Sequence, residues 1–188
     1  MKIIQHLLPR LIVATVTLAN IFTSIAIPAA IASEIQKNPQ KSTLESGDYL
    51  RLISIRASEM TVGTRNIEYA FTINVPKSSD PIEKVTIAQR SGLEIIQFNP
   101  SKVRAYGSSK EQRNVKISQV NTDSKTQGIT ATFDTPVQPG QVLKVVIGVN
   151  ENPFSDGNYL FNVAVYTQGK SDNALSLGVG RLRITSIR

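Results

Sequence analysis

An alternation of apolar and polar residues, with a period of two, runs through the sequence from Tyr49 to its end. In the segment RNIEYAFTINVP, the odd-numbered residues from Ile67 to Val75 are apolar or aromatic, and the residues between them are mainly polar. Successive side chains of a β-strand point to opposite faces, so this spacing predicts a strand with one buried face. No window shows a convincing helical period of about 3.6 residues. The pattern therefore constrains the chain to β-structure.

The same alternation recurs in short segments that are separated by turn sequences such as NVPKSSDP, NTDSKTQG and NPFSDG. Many short strands punctuated by Gly, Pro, Asn and Asp are typical of antiparallel sandwiches and barrels. At about 140 residues, the favoured fold is an antiparallel immunoglobulin-like β-sandwich of about nine strands over residues 49–188. The predicted strands are 49–56, 67–75, 84–89, 95–98, 103–106, 115–119, 129–134, 142–150, 159–167 and 180–185.

The N-terminus has the features of a secretory signal peptide. Lys2 and Arg10 precede an uncharged, largely apolar stretch over 11–27, Pro28 follows, and Ala30-Ile31-Ala32 has the small-x-small pattern of a cleavage site. The stretch is shorter than the roughly 20 residues of a membrane-spanning helix, which makes an uncleaved anchor the weaker alternative. Residues 1–32 are predicted to be a signal peptide, and the protein is expected to be exported to the periplasm or the cell exterior.

Residues 33–48 are polar and lack periodicity, which predicts a flexible arm before the sandwich. No second apolar run of spanning length follows, so no transmembrane segment is expected in the mature chain. The sequence has a formal net charge of +7, of which Lys2 and Arg10 supply two charges. A moderately basic domain is compatible with an acidic partner, but an exported chain without a basic run is not expected to bind nucleic acid.

Missing residue types exclude several chemistries. The chain has no Cys and no Trp, and its single His is His6, within the predicted signal peptide. The mature protein therefore lacks the imidazole and thiol groups on which Ser-His-Asp hydrolysis, Cys-His chemistry and most zinc sites depend. No cofactor is expected, and no disulfide can form.

The segment NPFSDGNYLF, residues 152–161, permits two interpretations. Glu151, Asp156 and Asn158 could contribute oxygen ligands to a calcium site, although their spacing does not match a calcium-binding loop. Alternatively, Gly157 allows a tight turn, and Tyr159 opens a strand with its hydroxyl folded back onto the preceding backbone, as in the tyrosine corner of immunoglobulin-like sandwiches. The turn residues favour the structural corner over calcium.

Two further groups of residues could carry a function. Arg51 and Arg56 bracket the first strand, and Arg181 and Arg183 share one face of the last, so these arginines would form a basic strip if the two strands were neighbours. The alternative is an edge strand kept soluble by charge. The 14 acidic residues could also include a pair for glycoside hydrolysis, although no such pair is evident from the sequence.

Several motifs taken together resemble an exported cyanobacterial family that is known only as a domain of unknown function. They are YAFTINVP, KVTIAQRSG, IIQF, the PVQPGQ turn, NPFSDGNYLFNV and LGVGRL, and they extend over residues 69–184. The segment AVYTQG, residues 164–169, departs from the expected pattern because it lacks a proline before the glycine. The resemblance implies a secreted or envelope protein and supplies no activity and no functional residues.

These observations predict a non-catalytic exported module with a binding or structural role in the cell envelope. Its expected partner is an acidic envelope polysaccharide or an envelope protein. A calcium-stabilised module and a small hydrolase with paired carboxylates remain as alternatives.

Overall fold

Ten strands form in the computed structural model, which describes residues 49–186 of the chain. Every pairing between these strands is antiparallel. The strands are β1 (Arg51–Ala57), β2 (Arg65–Val75), β3 (Ile82–Ser91), β4 (Phe98–Gly107), β5 (Asn114–Val115), β6 (Ile117–Asp123), β7 (Gly128–Val137), β8 (Gln141–Glu151), β9 (Gly157–Thr167) and β10 (Leu175–Ile184).

The strands form two five-stranded sheets. The first sheet has the order β1-β2-β8-β4-β5, and the second has the order β10-β9-β3-β7-β6. Read in chain order, β1, β2, β8 and β4 correspond to strands A, B, E and D of an immunoglobulin domain, and β3, β9 and β10 correspond to C, F and G. The hairpin of β6 and β7 extends the second sheet beyond the C position. The fold is therefore an all-β, antiparallel, immunoglobulin-like sandwich, which confirms the predicted class.

The core lies between the inward faces of the two sheets. Phe161 of β9 contacts Tyr69 and Phe71 of β2 in edge-to-face geometry, with ring centroids 6.1 and 5.7 Å apart. Aliphatic side chains of β3, β7 and β8 complete this layer, and the alternation predicted for these strands matches the buried positions. Aromatic rings bury large apolar areas, so this layer supplies much of the stability of a chain that has no disulfide.

The division of the chain into strands differs from the prediction in two places, and β10 begins five residues earlier than predicted, at Leu175. The predicted strands 95–98 and 103–106 are replaced by the single strand β4, whose register shifts between Asn99 and Val103. The predicted strand 115–119 is divided, because the chain leaves the first sheet after Val115 and enters the second at Ile117. A change of sheet at a bulge or bend does not interrupt alternation strongly enough to be detected in the sequence.

The predicted signal peptide, residues 1–32, and the predicted arm, residues 33–48, lie outside the described residues. The chain divides into two units, Met1–Ser42 and Thr43–Arg188, and both complete sheets belong to the second. Within residues 49–186, no helix has the length and apolar character needed to cross a membrane.

Candidate binding face

The outward surface of the first sheet gathers basic side chains from several strands. Outward positions of β2 alternate with the buried Tyr69, Phe71 and Ile73. One cross-strand row on this surface runs Arg56–Ala70–Val146–Arg104, from β1 through β2 and β8 to β4. This row places an arginine on each side of a small apolar centre.

A neighbouring row adds a lysine and a tyrosine. It runs Ser54–Thr72–Lys144–Tyr106 across the same four strands. Lys144 is exposed, and Tyr106 is about one-third exposed. A long cationic side chain therefore lies beside an aromatic ring that solvent can reach.

Arg51 and Lys102 complete the group. Arg51 pairs with Asn74 of β2, and its guanidinium lies 5.3 Å from the centroid of the Tyr49 ring. Lys102 covers Gly148 of β8, where a Cβ atom would come within 2.6 Å of the lysine Cβ. We call the outward surface that carries these basic residues the cationic face; its members are Arg51, Arg56, Lys102, Arg104 and Lys144.

Negative charge is sparse on the cationic face. The five described strands of the first sheet contain two carboxylates, Glu68 and Glu151. Glu151 forms an ion pair with Arg65 at the end of β2, at 3.0 Å. Glu68 pairs with Arg104, and both side chains are about half exposed. Exposed pairs of this kind contribute little stability, so Arg104 can exchange Glu68 for an anionic ligand at small cost.

A shallow groove on the cationic face has a volume of about 420 Å³. Its lining includes Glu68, Arg104, Tyr106 and Lys144. Arginine and lysine donors bind carboxylate, sulfate and phosphate groups, and the tyrosine ring offers an apolar surface with a polar tip. The groove can therefore hold an anionic group next to a ring-shaped one.

The structure divides the four arginines of the predicted strip between the two sheets. Strands β1 and β10 do lie against each other, with Gly180 packed on Leu52 and Ile55. However, Arg181 and Arg183 alternate with the buried Leu182 and Ile184, so they point outward from the second sheet.

Of the four arginines in the predicted strip, only Arg51 and Arg56 belong to the cationic face. Sequence reasoning missed their partners Lys102, Arg104 and Lys144. The alternation in KVRAYG and VLKVVIG signals outward cations, but it does not reveal which strands are neighbours.

The segment at 152–161 forms a tyrosine corner. The Tyr159 hydroxyl donates a hydrogen bond to the Ser155 carbonyl oxygen at 2.8 Å, while its ring is buried. Burial, followed by the nearby carboxylates of Glu94 and Asp156, raises the pKa of Tyr159. The hydroxyl therefore remains protonated and serves as a donor at neutral pH.

The three calcium candidates are placed in different environments. Glu151 is paired with Arg65, Asp156 accepts a hydrogen bond from Ser186 at 3.2 Å, and Asn158 is exposed on β9 opposite Arg183. Among the residues that the structure describes, no group of three or more His, Cys, Asp or Glu side chains could hold a metal ion.

One pair of carboxylates bears on the hydrolase alternative. Glu94 and Glu151 line the same depression of about 230 Å³. The Glu94 carboxylate accepts hydrogen bonds from the Ser155 N–H at 2.6 Å and the Phe154 N–H at 3.2 Å. Hydrogen bonding from Ser155 and Phe154 lowers the pKa of Glu94, whereas the general acid of a glycosidase needs a raised pKa. Glu94 joins the β3–β4 and β8–β9 loops, and its lowered pKa does not suit the role of a general acid.

Three solved structures show similarity to this fold. A 35 kDa C-terminal fragment of the major pilin GBS80 of Streptococcus agalactiae aligns with a TM-score of 0.49 and 9% identity, over 73% of this chain and 56% of that one. An uncharacterized Nocardia farcinica protein with an immunoglobulin-like fold aligns with a TM-score of 0.45 and 14% identity, over 72% and 99%. A collagen-binding domain from a Staphylococcus aureus adhesin aligns with a TM-score of 0.38 and 8% identity, over 68% and 97%. No function of these proteins transfers to the present chain through such likenesses.

No curated protein matches the sequence. A family model described as "Protein of unknown function (DUF2808)" matches residues 42–184, a range that begins just before the sandwich and includes all ten strands. The match extends over most of the chain, and it agrees with the unknown-function part of the resemblance seen in the sequence. The chain belongs to the DUF2808 family of proteins of unknown function.

Proposed function

We propose that this protein is an exported, non-catalytic binding module of the cell envelope and that its cationic face holds an acidic envelope polysaccharide. Export is supported by the basic, apolar and small-residue regions that precede Glu34. A non-catalytic role is supported by the absence of Cys from the sequence and of any His after His6. Neither argument identifies a partner, so the partner has to be inferred from the chemistry of the sandwich surface.

The observation that carries the proposal is the gathering of five cations on one face with a single outward carboxylate. Neighbouring strands are about 4.8 Å apart. The backbones of Arg56 and Arg104, at the two ends of one four-strand row, are therefore roughly 14 Å apart. That spacing exceeds the size of one carboxylate or sulfate group. It suits a chain that carries repeated anionic groups across the strands.

Tyr106 favours a saccharide chain over other polyanions. Its ring lines the groove together with Arg104 and Lys144, so a sugar ring could rest against it while an acidic substituent meets the cations. An acidic envelope protein could use the same cations, but it would not require the aromatic ring within the groove.

The proposal can be tested with residues 33–188, which contain the entire compact unit Thr43–Arg188. Affinity electrophoresis would compare alginate and dextran sulfate with uncharged dextran at low and high salt. We expect retardation by the two acidic polymers alone, and we expect it to weaken as salt rises. Equal mobility in acidic and neutral polymer would overturn the proposal.

A pair of double variants locates the binding surface. We expect Arg56→Gln/Lys144→Gln to weaken binding to alginate about tenfold, because two charge-assisted hydrogen bonds are lost. The matched control is Lys125→Gln/Lys170→Gln, which removes the same charge from two loops outside the cationic face. If both double variants weaken binding equally, the attraction comes from net charge and not from the cationic face.

A further inference from the structure

We propose that one end of the sandwich docks onto an anionic lipid bilayer. Four exposed apolar side chains would enter the boundary between headgroups and acyl chains, and three nearby arginines would contact the headgroups. We call the first group the apolar tip (Met60, Leu93, Ile95 and Phe154) and the second the arginine collar (Arg90, Arg181 and Arg183). This surface is separate from the cationic face, so the inference does not depend on polysaccharide binding.

The apolar tip contains the three most exposed large hydrophobic residues of the described chain. Leu93, Phe154 and Ile95 are 74%, 69% and 61% exposed, above all other large hydrophobic residues in the structure, and Met60 is 50% exposed. They lie in the β1–β2, β3–β4 and β8–β9 loops, all of which are at the same end of the sandwich. An apolar patch concentrated in this way marks an interaction site more often than scattered exposed residues do.

Hydrogen bonds connect the three loops to one another. The Glu94 carboxylate accepts from the N–H groups of Phe154 and Ser155, which joins the β3–β4 and β8–β9 loops. The Asn152 side-chain amide donates to the carbonyls of Glu59 and Thr61 at 3.0 and 2.8 Å, which joins the β8–β9 and β1–β2 loops. The apolar tip is therefore held in place before any partner arrives, which lowers the entropy cost of binding.

Packing also holds the most prominent ring in its exposed position. Phe154 lies over Gly63, where a Cβ atom would come within 2.9 Å of the phenylalanine Cε1. The Gly63 N–H donates to the Pro153 carbonyl at 3.1 Å. The ring rests on the neighbouring loop with most of its surface facing solvent, although a side chain this large would ordinarily be buried.

The arginine collar lies beside the apolar tip on the second sheet. Arg181 pairs with Leu160, which pairs in turn with Ser91, and the exposed Arg90 precedes Ser91. Arg183 pairs with Asn158, close to the start of β9. The collar therefore lies next to the ends of β3 and β9, where the β3–β4 and β8–β9 loops meet the second sheet.

The carboxylates at this end are engaged within the protein. Glu59, Glu94 and Asp123 accept backbone N–H groups, Glu151 pairs with Arg65, and Asp156 accepts from Ser186. The hydrogen-bonded carboxylates keep their charge, so attraction to anionic headgroups is local to the arginine collar. Arginine next to exposed Leu, Ile and Phe is the combination that anchors peripheral proteins to anionic membranes. A lipid surface is therefore the partner that fits.

The first experiment measures co-sedimentation of residues 33–188 with vesicles. We expect binding to vesicles of phosphatidylcholine mixed with phosphatidylglycerol, with weaker binding to pure phosphatidylcholine and at high salt. Leu93→Ser should weaken binding about tenfold, since a leucine no longer leaves water. The matched control is Leu175→Ser, at an exposed leucine outside the tip, which should leave binding unchanged. Equal effects of the two substitutions would overturn the inference.

Charge variants separate this surface from the cationic face. Arg181→Gln/Arg183→Gln should reduce binding to the phosphatidylglycerol vesicles severalfold while leaving alginate binding intact. Arg56→Gln/Lys144→Gln should have the opposite pattern. If the second pair controls vesicle binding, the lipid is held by the cationic face and the inference is wrong.

Because the sequence contains no Trp, a single introduced tryptophan can report directly on insertion. Phe154→Trp introduces a single tryptophan at the apolar tip, and its emission should shift to shorter wavelength and be quenched by brominated lipid when the vesicles are added. Tyr106→Trp, on the cationic face, should show neither change. A water-exposed spectrum from Phe154→Trp in sedimented vesicles would contradict insertion.

Light scattering tests a second copy of the chain as the partner. If the protein self-associates, fails to bind vesicles, and loses its self-association in Leu93→Ser, then the apolar tip binds another copy and the inference is wrong.

Discussion

Asn152 connects three parts of the chain through one buried side chain. Its Oδ1 accepts a hydrogen bond from the Tyr69 hydroxyl at 2.7 Å, and its amide nitrogen donates to two carbonyls of the β1–β2 loop. Its backbone N–H donates to the Thr64 carbonyl at 2.8 Å. A buried amide whose groups are all bonded stabilises the fold, whereas partial loss of such a network is costly.

Removing this side chain should therefore destabilise the protein strongly. We expect Asn152→Ala to lower the free energy of unfolding by about 3 kcal/mol, since the buried Tyr69 hydroxyl and two loop carbonyls lose their partner. Urea denaturation would measure the change. Asn158→Ala, at an exposed position six residues later, should change it by less than about 0.5 kcal/mol. Similar losses from both substitutions would contradict the role assigned to Asn152.

The Glu94 carboxylate should make stability depend on pH in the acidic range. Hydrogen bonds from Ser155 and the Phe154 N–H lower its pKa in the folded protein below the ordinary value of 4.5. A lowered pKa means that its stabilisation is present above about pH 4.5 and is lost as pH falls through the folded pKa. Thermal midpoints measured from neutral to acidic pH should therefore decline, and Glu94→Gln should reduce that decline. An unchanged slope in this variant, with the exposed Glu111→Gln as the control, would contradict the prediction.

At the scale of elements, the edge formed by β1 and β10 depends on a residue without a side chain. A Cβ atom at Gly180 would come within 2.8 Å of the Leu52 Cδ2 and would also collide with Ile55. Both side chains pack against the core, so they have little room to move aside. The glycine therefore allows the edge strands of the two sheets to approach closely.

Filling that space should separate the two strands. We expect Gly180→Val to lower the free energy of unfolding by about 1–3 kcal/mol, as overpacking does in other cores. Val179→Ala, at the adjacent exposed position, should change it by no more than about 0.5 kcal/mol. Denaturant titration of both variants tests the contact, and an equal effect would show that the edge tolerates a side chain at Gly180.

At the scale of the whole molecule, the surfaces of the sandwich differ in chemistry. The first sheet presents the cationic face, and the loop end presents the apolar tip with its arginine collar. If both proposals hold, a module with two such surfaces could bind a saccharide chain while it rests on a membrane. The common core fixes both surfaces on one rigid body.

Calcium should have no effect on the thermal stability of the sandwich. Glu151 and Asp156 are engaged by Arg65 and Ser186, and a ligand that binds the native state must raise the thermal midpoint. We therefore expect the same midpoint in calcium and in chelator, measured by circular dichroism. A thermal midpoint that rises with calcium concentration would contradict this prediction and support the calcium-stabilised module.

The sequence by itself determined the class of fold and, in the strands with clear alternation, the side to which the residues point. Alternation in β2, β8 and β9 identified their buried residues, and the order Asp156-Gly157-Asn158-Tyr159 identified the tyrosine corner that the hydroxyl of Tyr159 closes. These features are local, because the pleat of a strand and the conformation of a turn depend on neighbouring residues. The absence of Cys likewise excluded thiol chemistry without any structure.

Only the tertiary structure decided which strands are neighbours, and this decided the candidate sites. Strand β8 lies between β2 and β4, so Lys144 and Arg104 join Arg56, while Arg181 and Arg183 face away on the other sheet. The apolar tip likewise depends on three loops that are distant in sequence and meet at Asn152 and Glu94. Strand order follows from long-range pairing and shared burial, to which many residues contribute small energies, and no local pattern encodes it.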